Sequence, residues 1–575
     1  MSVESIITEN LDIWTSATKT KSTSGRGSSN KRELYGIKKL RELILELAVT
    51  GKLIKPDTAG CSAQSALERS ISKKSKLISE GRLKKGRAKK NIEDEHFYSY
   101  PKHWEAARLE DLINVINGRA YKKHEMLSEG IPILRVGNLF TSDQWYYSDL
   151  TLEPDKYIDN GDLIYSWSAS FGPFIWEGGK VIYHYHIWKM DIFCDDSLDK
   201  EFSQIFLQAI SERIKAGGNG IAMIHMTKER MEKVIHPLPP LEEQKKIAKK
   251  VRELMNLCDQ LESQSEASIE AHQTLVKSLL DTLTNAKDSN ELNESWQRIS
   301  EHFDVLFTTE DSIDQLKQTI LQLAVMGKLV KQDPNDEPAS KLLGRIAAEK
   351  EQLIKDKKIK KQKALPLISE GEKPFQLPRG WEWCRLEDVV DIQSGITKGR
   401  KLAGKQVTRV AYLSVANVQR GFLKLEQLKE VEIAVEEVAK YEVRVGDLLI
   451  TEGGDWDKVG RTAIWNGSIP YIAHQNHVFK ARKILDEQNE LWLETYLNSP
   501  FARDYFAGSS KQTTNLASIN KTQLRGCLIA IPPPNHQSEI LSSIRSVVEL
   551  CESLLQKLKS KSKTECSLVE LVAQR

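Results

Sequence analysis

Leu47-Ala48-Val49-Thr50-Gly51-Lys52-Leu53-Ile54-Lys55-Pro56-Asp57 returns 276 residues later as Leu323-Ala324-Val325-Met326-Gly327-Lys328-Leu329-Val330-Lys331-Gln332-Asp333. A second anchor follows each copy. Pro101, Trp104 and Arg108-Leu109-Glu110-Asp111 match Pro378, Trp381 and Arg385-Leu386-Glu387-Asp388, at an offset of 277. A third closes each copy, where Pro239-Pro240, Gln244 and Ile247 match Pro532-Pro533, Gln537 and Ile540, at an offset of 293. The offset changes only between anchors, so the two halves share a frame and differ in what it carries. A period of this length excludes a solenoid or propeller. The chain reads as two domains, each with a helical appendage, a design that lets one geometry present two different surfaces.

At 575 residues, with 40% hydrophobic and 28% charged residues, the chain has the composition of a multidomain globular protein. No apolar run is long enough to span a bilayer, and Met1-Ser2-Val3-Glu4-Ser5 lacks the order of a secretory signal. The seven cysteines are scattered and form no Cys-x-x-Cys pair, so neither a disulfide framework nor a zinc site is expected, and the cytoplasm is the natural compartment. The net charge of +3 hides two basic tracts. Gln64–Lys90 holds ten Lys/Arg against two Glu, and Arg345–Lys363 holds eight against three acids. Both lie between the first and second anchors. Such tracts can supply phosphate contacts, although a single lysine-rich run is more often a solvated helix or linker.

The frame is helical. Ile247, Val251, Leu254, Cys258 and Leu261 step by four and three, and Ile540, Ile544, Val547, Cys551 and Leu554 repeat that seam, cysteine included. A helix over 241–284 would run roughly 65 Å. The seam weakens at Ser265, Ser268 and His272 and is expected to resume at Leu275 and Leu279. Helices are also expected over Leu40–Val49 and Ile313–Val325, with Gly51 and Gly327 at their C-caps. Gly-Lys is not a phosphate loop here, because Leu53 and Leu329 stand where Ser or Thr should hold magnesium.

Between the second and third anchors, strand-like pieces alternate with glycine turns. They fall at 131–136, 162–165 and 180–185 in the first copy, and at 409–415, 447–450, 463–465 and 477–479 in the second. Helices are expected at 202–215 and 491–506. Residues able to read base edges or phosphates gather at the loops of these modules. In the first they are Asn117, Arg119, Tyr121, Lys122, Lys123, Arg135, Asn138, Ser166, Ser168, His184, His186 and Lys189. In the second they are Lys398, Arg400, Lys401, Lys405, Asn417, Asp455, Lys458, Arg461, His474, Gln475, Asn476, Lys511, Gln512 and Asn515. Taken singly each is more often inert than a contact. The His-Tyr-His and His-Gln-Asn-His runs have no carboxylate or Cys at a ligand spacing, so no metal site is expected. Trp145, Trp167, Trp176 and Trp188 could stack a base, though core packing is their ordinary use.

Catalytic signatures are missing. No dinucleotide fingerprint, phosphate loop, nucleophile elbow, zinc helix or EF-hand pattern occurs, nor the Asn/Asp-Pro-Pro-aromatic tetrapeptide of an amino-methyltransferase. Glu243-Gln244-Lys245 has a nuclease-like spacing but lies on the expected long helix. The chain reads as one that binds and does not catalyse.

The repeated Leu-Ala-Val-x-Gly-Lys-Leu, the Leu-Pro-x-Gly-Trp-x-Trp-x-Arg-Leu of Leu377–Leu386, and Ile-Pro-Pro-Pro before a long helix resemble the specificity subunit of type I restriction–modification systems. The resemblance runs from about Glu33 to the end. It implies an α+β fold in which two mixed α/β target-recognition domains form a tandem pseudo-symmetric repeat, separated by long antiparallel, coiled-coil-like helices. The implied partition is a flexible arm over 1–32, which includes Ser22-Thr23-Ser24-Gly25-Arg26-Gly27-Ser28-Ser29, and a helix with basic segment over 33–100. Recognition domains over 101–237 and 377–531 then flank central helices over 238–376, with a last helix over 532–575. It further implies double-stranded DNA as ligand, each domain reading half of a bipartite target. The seam residues would dock two modification subunits carrying S-adenosylmethionine. Restriction subunits would bring ATP and Mg2+, this chain would hold no cofactor, and no membrane would be involved. A free-standing bipartite DNA-binding regulator is the alternative from another class, and a nuclease with a cryptic site a weaker third.

Overall fold

A computed structural model describes residues 3–20, 32–56, 62–83, 98–168, 171–217, 227–397, 399–454, 458–509, 511–513 and 516–574. The chain forms two compact units, Met1–Ser268 with Lys561–Arg575, and Ile269–Ser560. The helices Leu241–Asn285 and Pro534–Ala573 each give residues to both.

The three anchors are one structure, built once in each unit. Helix Tyr35–Val49 ends at Gly51, whose φ of +69° lets Lys52 N–H reach the Leu47 carbonyl at 2.9 Å. Helix Glu310–Val325 ends the same way at Gly327, φ +70°, with Lys328 N–H on the Leu323 carbonyl at 2.8 Å. A Cβ on Gly51 would lie 2.5 Å from the Pro101 ring and 2.9 Å from the Trp104 ring. On Gly327 it would meet Pro378 and Trp381 at the same two distances. The first anchor is therefore the seat of the second. Strands Glu105–Arg108 and Ile235–Leu238 pair antiparallel in the first unit, as Glu382–Arg385 and Leu528–Ile531 do in the second, which brings the third anchor beside the second. There Gln244 and Gln537 each donate Nε2 to the carbonyl of the first anchor proline, Pro239 or Pro532, at 2.8 Å. Glu243 is buried and accepts from Trp104 Nε1 at 3.2 Å and faces His103 at 3.1 Å, so its nuclease-like spacing serves the frame.

The long helices follow the expected seam. Ile247, Val251, Leu254 and Cys258 are buried and Leu261 is half-buried; Ile540, Ile544 and Cys551 are buried, with Val547 and Leu554 half-buried. Burial pushes the Cys258 thiol up to about 11, which makes it an inert packing group. Beyond the weak stretch the seam resumes at Val276, Leu280 and Leu283, not at Leu275, which is 52% exposed, while Leu279 is only partly buried. These residues join Cys551, Leu316 and Ile320 in one core.

The arm is not free at its start. Helices Val3–Thr8 and Leu11–Ser16 bury Ile7 and Trp14, and strand Lys19–Thr20 pairs with Arg32–Glu33. The Trp14 carbonyl lies 2.1 Å from where a Cβ on Gly36 would stand, so only glycine admits this contact. The segment is a fourth repeat. Ile7-Thr8-Glu9-Asn10-Leu11-Asp12-Ile13-Trp14 matches Ile299-Ser300-Glu301-His302-Phe303-Asp304-Val305-Leu306, at an offset of 292, and Ile299 and Leu306 are buried like Ile7 and Trp14. The serine- and glycine-rich stretch 21–31 lies outside the described residues.

Each module holds two sheets with matching order. In the first, strands Ile113–Asn117, Ile187–Ile192, Leu163–Ser166 and Gly172–Ile175 lie side by side; in the second, Val390–Gln393, Val478–Lys483, Leu448–Thr451 and Thr462–Ile464 do. The other sheet centres on a parallel pair, Ile131–Leu134 with Val181–Tyr183, and Val407–Leu413 with Ala473–His474. The second module adds a small sheet of Gly453–Gly454, Leu516–Ser518 and Lys511–Thr513. Helix Lys200–Gly217 is continuous. The helix expected at 491–506 is two, Glu490–Leu497 and Pro500–Ser509, because Pro500 has no N–H to continue the first.

Candidate nucleic-acid interface

In both modules one turn joins the two sheets, Tyr183–Ile187 in the first and His474–Val478 in the second. The strand that leads to it passes through Gly118 or Gly395. A Cβ there would lie 2.3 Å from the His184 carbonyl oxygen or 2.2 Å from that of His474, so the strand can cross only at glycine. Five backbone hydrogen bonds then repeat. Arg119 and Ile396 donate to Tyr183 and His474 at 3.0 and 2.8 Å; Tyr185 and Asn476 donate back to Arg119 and Ile396 at 3.1 and 3.0 Å. His184 and Gln475 donate to Leu134 and Leu413, both at 2.9 Å. Ile187 and Val478 close the turn on His184 and Gln475, both at 2.9 Å, and Trp167 and Glu452 donate to His186 and His477 at 3.1 and 2.9 Å.

On this shared backbone the histidines His186 and His477 are equivalent, while the two side chains before each of them differ. The first turn carries His184, Tyr185 and His186, their rings 3.9–5.0 Å apart, with Tyr185 40% exposed. Trp167 stacks on buried Trp188 at 5.7 Å and donates Nε1 to the Tyr185 carbonyl at 2.9 Å, bracing the turn from beneath. Burial, reinforced by His186 and Arg135, lowers His184 to about 4, so its ring is neutral, with one donor and one acceptor nitrogen. The second turn carries Gln475, Asn476 and His477. There Glu452 holds exposed His477 Nδ1 at 2.7 Å, taking the place of Trp167.

The other sequence-derived residues divide by environment. Asn117, Lys122, Lys123, Arg135 and Lys401 are exposed. Arg119 binds Glu125 at 2.6 Å and stacks on Tyr121, Arg135 lies over Tyr146, Arg400 binds Glu437 at 2.9 Å over Tyr441, and Arg461 donates to Gln419 at 2.8 Å. Lys458 is half-buried beside Gly454. Lys189 pairs with Asp162, and Lys405 with Glu436.

Four candidates take structural places instead. Ser166 and His474 are fully buried, and His474 Nδ1 sits 2.8 Å from the Val478 carbonyl. Asn138 and Asn417 occupy equivalent positions and close their own loops. Their Oδ1 atoms accept from the N–H groups of Arg135 and Ser414, and their Nδ2 atoms donate to the carbonyls of Ser142 and Gln144, or of Lys424 and Gln427. A polar side chain that is short of water and already satisfied stabilises a loop and does not read a base. Lys398, Asp455 and Asn515 lie outside the described residues, and Lys511 and Gln512 are placed only as part of a strand. Sequence reasoning missed Tyr185 and Glu452 as members of the surface. The signal was available only by aligning the turns at an offset of 291, which His186 with His477 and Lys189 with Lys480 mark only sparsely.

A duplicated frame that holds one turn twice, with different polar and aromatic side chains at its centre, belongs to a paired recognition protein. The chain belongs to the type I restriction–modification DNA specificity family. The family's domain, described as "Type I restriction modification DNA specificity domain", matches residues 101–271 and 378–561. The chain is 35% identical to the type I restriction enzyme EcoEI specificity subunit of Escherichia coli over 586 residues, covering 99% of each. It is also 35% identical to the EcoAI specificity subunit of Escherichia coli over 594 residues, again covering 99% of each. Likeness to the EcoBI specificity subunit of Escherichia coli is 20% over 458 residues, covering 78% of this chain and 80% of that one. No helix among the described residues is long and apolar enough to cross a membrane.

Proposed function

We propose that this chain is the DNA-reading, non-catalytic subunit of a type I restriction–modification complex, each module reading one half of an asymmetric bipartite target. The observation that carries this reading is the pair of turns with equivalent backbones and different central side chains, His184 and Tyr185 against Gln475 and Asn476. The seam residues of the long helices, expected as docking residues, are packed inside this chain. The exposed faces of those helices therefore serve as docking surfaces for two modification subunits, and the length of the helices sets the spacing between half-sites. S-adenosylmethionine belongs to those subunits, and ATP and Mg2+ to the restriction subunits. The working recognition domains are 101–237 and 377–531, with 33–100, 238–376 and 532–575 as frame.

The test is an exchange of parts. Replacing Arg108–Pro237 with the corresponding segment of a relative, in cells carrying the complete system, should change one half of the methylated sequence and leave the other intact. If both halves change together, one module does not read one half-site. A methyltransferase subunit should also co-purify with the full chain, which a free-standing regulator would not require.

A further inference from the structure

The turn between the sheets combines two properties that rarely coincide on a protein surface. Its backbone is fixed by five hydrogen bonds and a glycine crossing, identically in both modules. Its two central side chains, His184 and Tyr185 in one module and Gln475 and Asn476 in the other, differ, while the histidine that follows is shared as His186 and His477. We propose that this turn is the specificity-determining element of each module, presenting His184 and Tyr185 to base edges of one half-site and Gln475 and Asn476 to an adenine in the other. The inference rests on the reading of each module as a half-site reader.

A base reader needs its Cα positions held to a fraction of an ångström while its side chains remain free to vary, because hydrogen bonds to base edges fail with small displacements. The five bonds and the glycine supply the first condition. A merely solvated loop has no need of them. The chemistry supplies the second. The Gln475 amide makes no hydrogen bond among the described residues and offers a donor beside an acceptor, the pattern complementary to adenine N7 and N6. Asn476 stands next to it, with Nδ2 3.4 Å from His477 Nε2. In the first module the neutral His184 ring offers one donor and one acceptor, and exposed Tyr185 adds a ring face and a hydroxyl. Trp167 and Glu452 act as positioning residues, each holding its turn through one side-chain bond.

The experiment uses the full chain co-expressed with its own modification subunits and maps genomic methylation. Gln475→Ala and Asn476→Ala should each relax one position of the second half-site, with discrimination there falling about 5- to 150-fold, and leave the first half-site unchanged. Tyr185→Ala and His184→Ala should do the reverse. Gln475→Glu should move the preference at its position toward cytosine, since a carboxylate accepts from cytosine N4. None of the four side chains is buried, so thermal melting and co-purification of the partner should match the parent. If one variant misfolds, its neighbour on the same turn decides. An unchanged motif in the folded variants overturns the proposal. So does uniform weakening with the motif intact, which would mean phosphate contacts, and so does a change in both half-sites at once. If the parent complex itself methylates no bipartite sequence, the half-site reading falls as well, and the two failures are told apart by that control.

Discussion

At one set of matching positions the two modules solve the same electrostatic problem in opposite ways. Gly161-Asp162 and Gly446-Asp447 make the same turn, with Asp Oδ2 accepting from Asp159 N–H at 2.8 Å or Arg444 N–H at 2.7 Å. In the first module Lys189 pairs with Asp162 at 2.7 Å, and position 191 is an aspartate. In the second, position 482 is Arg, and it takes Asp447 with two bonds of 2.7 and 2.6 Å. Lys480, the counterpart of Lys189, is left without a carboxylate. It is 1% exposed, donates to the carbonyl of Glu442 at 2.6 Å, and is lowered to about 8 by burial and then by the Arg482 charge. Duplicated cores therefore diverge inside as well as outside, provided each buried polar group finds some partner. The frame has diverged less, chiefly where the Trp104 Nε1 bond to buried Glu243 becomes a Trp381 Nε1 bond to Gln332 and buried His536 takes the place of Glu243. The Gly-Pro-Trp contacts and the proline–glutamine bonds repeat with nearly equal distances.

The largest effect expected from this contrast follows removal of the shared aspartate. Asp447→Ala removes the one carboxylate that Arg482 binds directly, beside buried Lys480 and at a site where Asp447 is 1% exposed, and should cost roughly 3–5 kcal/mol. Asp162→Ala strands only Lys189, in a pair whose side chains are 17% and 25% exposed, and should cost roughly 1–2 kcal/mol. Hydrogen exchange resolved by module is the proper measurement, since a chain of two units need not unfold in one step. Equal protection loss in the two variants would erase the contrast.

Acid should separate the molecule by its buried imidazoles. Burial lowers both His236, in the first unit, and His474, in the second, to about 4. The unfolded chain takes up these protons near pH 6.5 and the folded chain only near 4. Stability is therefore fully present above about pH 6.5 and is lost as pH falls toward 4, by about 3 kcal/mol for each histidine. His474→Tyr copies Tyr183, its counterpart in the first module, and should flatten the pH dependence of exchange in the second unit alone. A slope that remains unchanged in that variant would assign the acid sensitivity to other groups.

Where the frame is repeated, the two units should respond alike. Gly51→Ala and Gly327→Ala each force a side chain into a left-handed backbone and against a proline ring, costing at least about 1–2 kcal/mol. Matched losses in the two units would show that the frame contacts are energetically as well as geometrically duplicated; a difference above about 1 kcal/mol would break the equivalence.

These contrasts also explain what could be read from the residues alone. The anchors were legible because each depends on residue types with few substitutes: a glycine at φ near +70°, a tryptophan seated on it, a glutamine reaching a proline carbonyl. The heptads fixed the long helices to within a residue or two. The N-terminal repeat stayed hidden because its key buried position is Trp14 in one copy and Leu306 in the other, and its offset of 292 departs from the 276 of the neighbouring anchor. The reading turns stayed hidden for a deeper reason. Their equivalence lives mainly in backbone hydrogen bonds, which any residue can make, while of their unburied side chains only His186 and His477 agree. For the same reason His474 and Asn417 could not be separated from surface residues of the same type, since only the fold assigns one asparagine to a loop closure and leaves another at the surface.

The smallest effect concerns surface divergence. In the second module Arg409 pairs with Glu430 at 2.7 Å across neighbouring strands, with side chains 72% and 53% exposed. High-dielectric solvent weakens such a pair, and ordering two long side chains offsets most of what remains. Arg409→Ala should therefore change the stability of the second unit by less than about 0.5 kcal/mol, even though it removes a cross-strand contact. Measured beside Asp447→Ala, it tests whether divergence is tolerated at the surface because it costs little and inside only because partners were exchanged together. A loss above about 1 kcal/mol for Arg409→Ala would mean that the surface of the module is also a coupled network, and that recognition residues there cannot be varied one at a time.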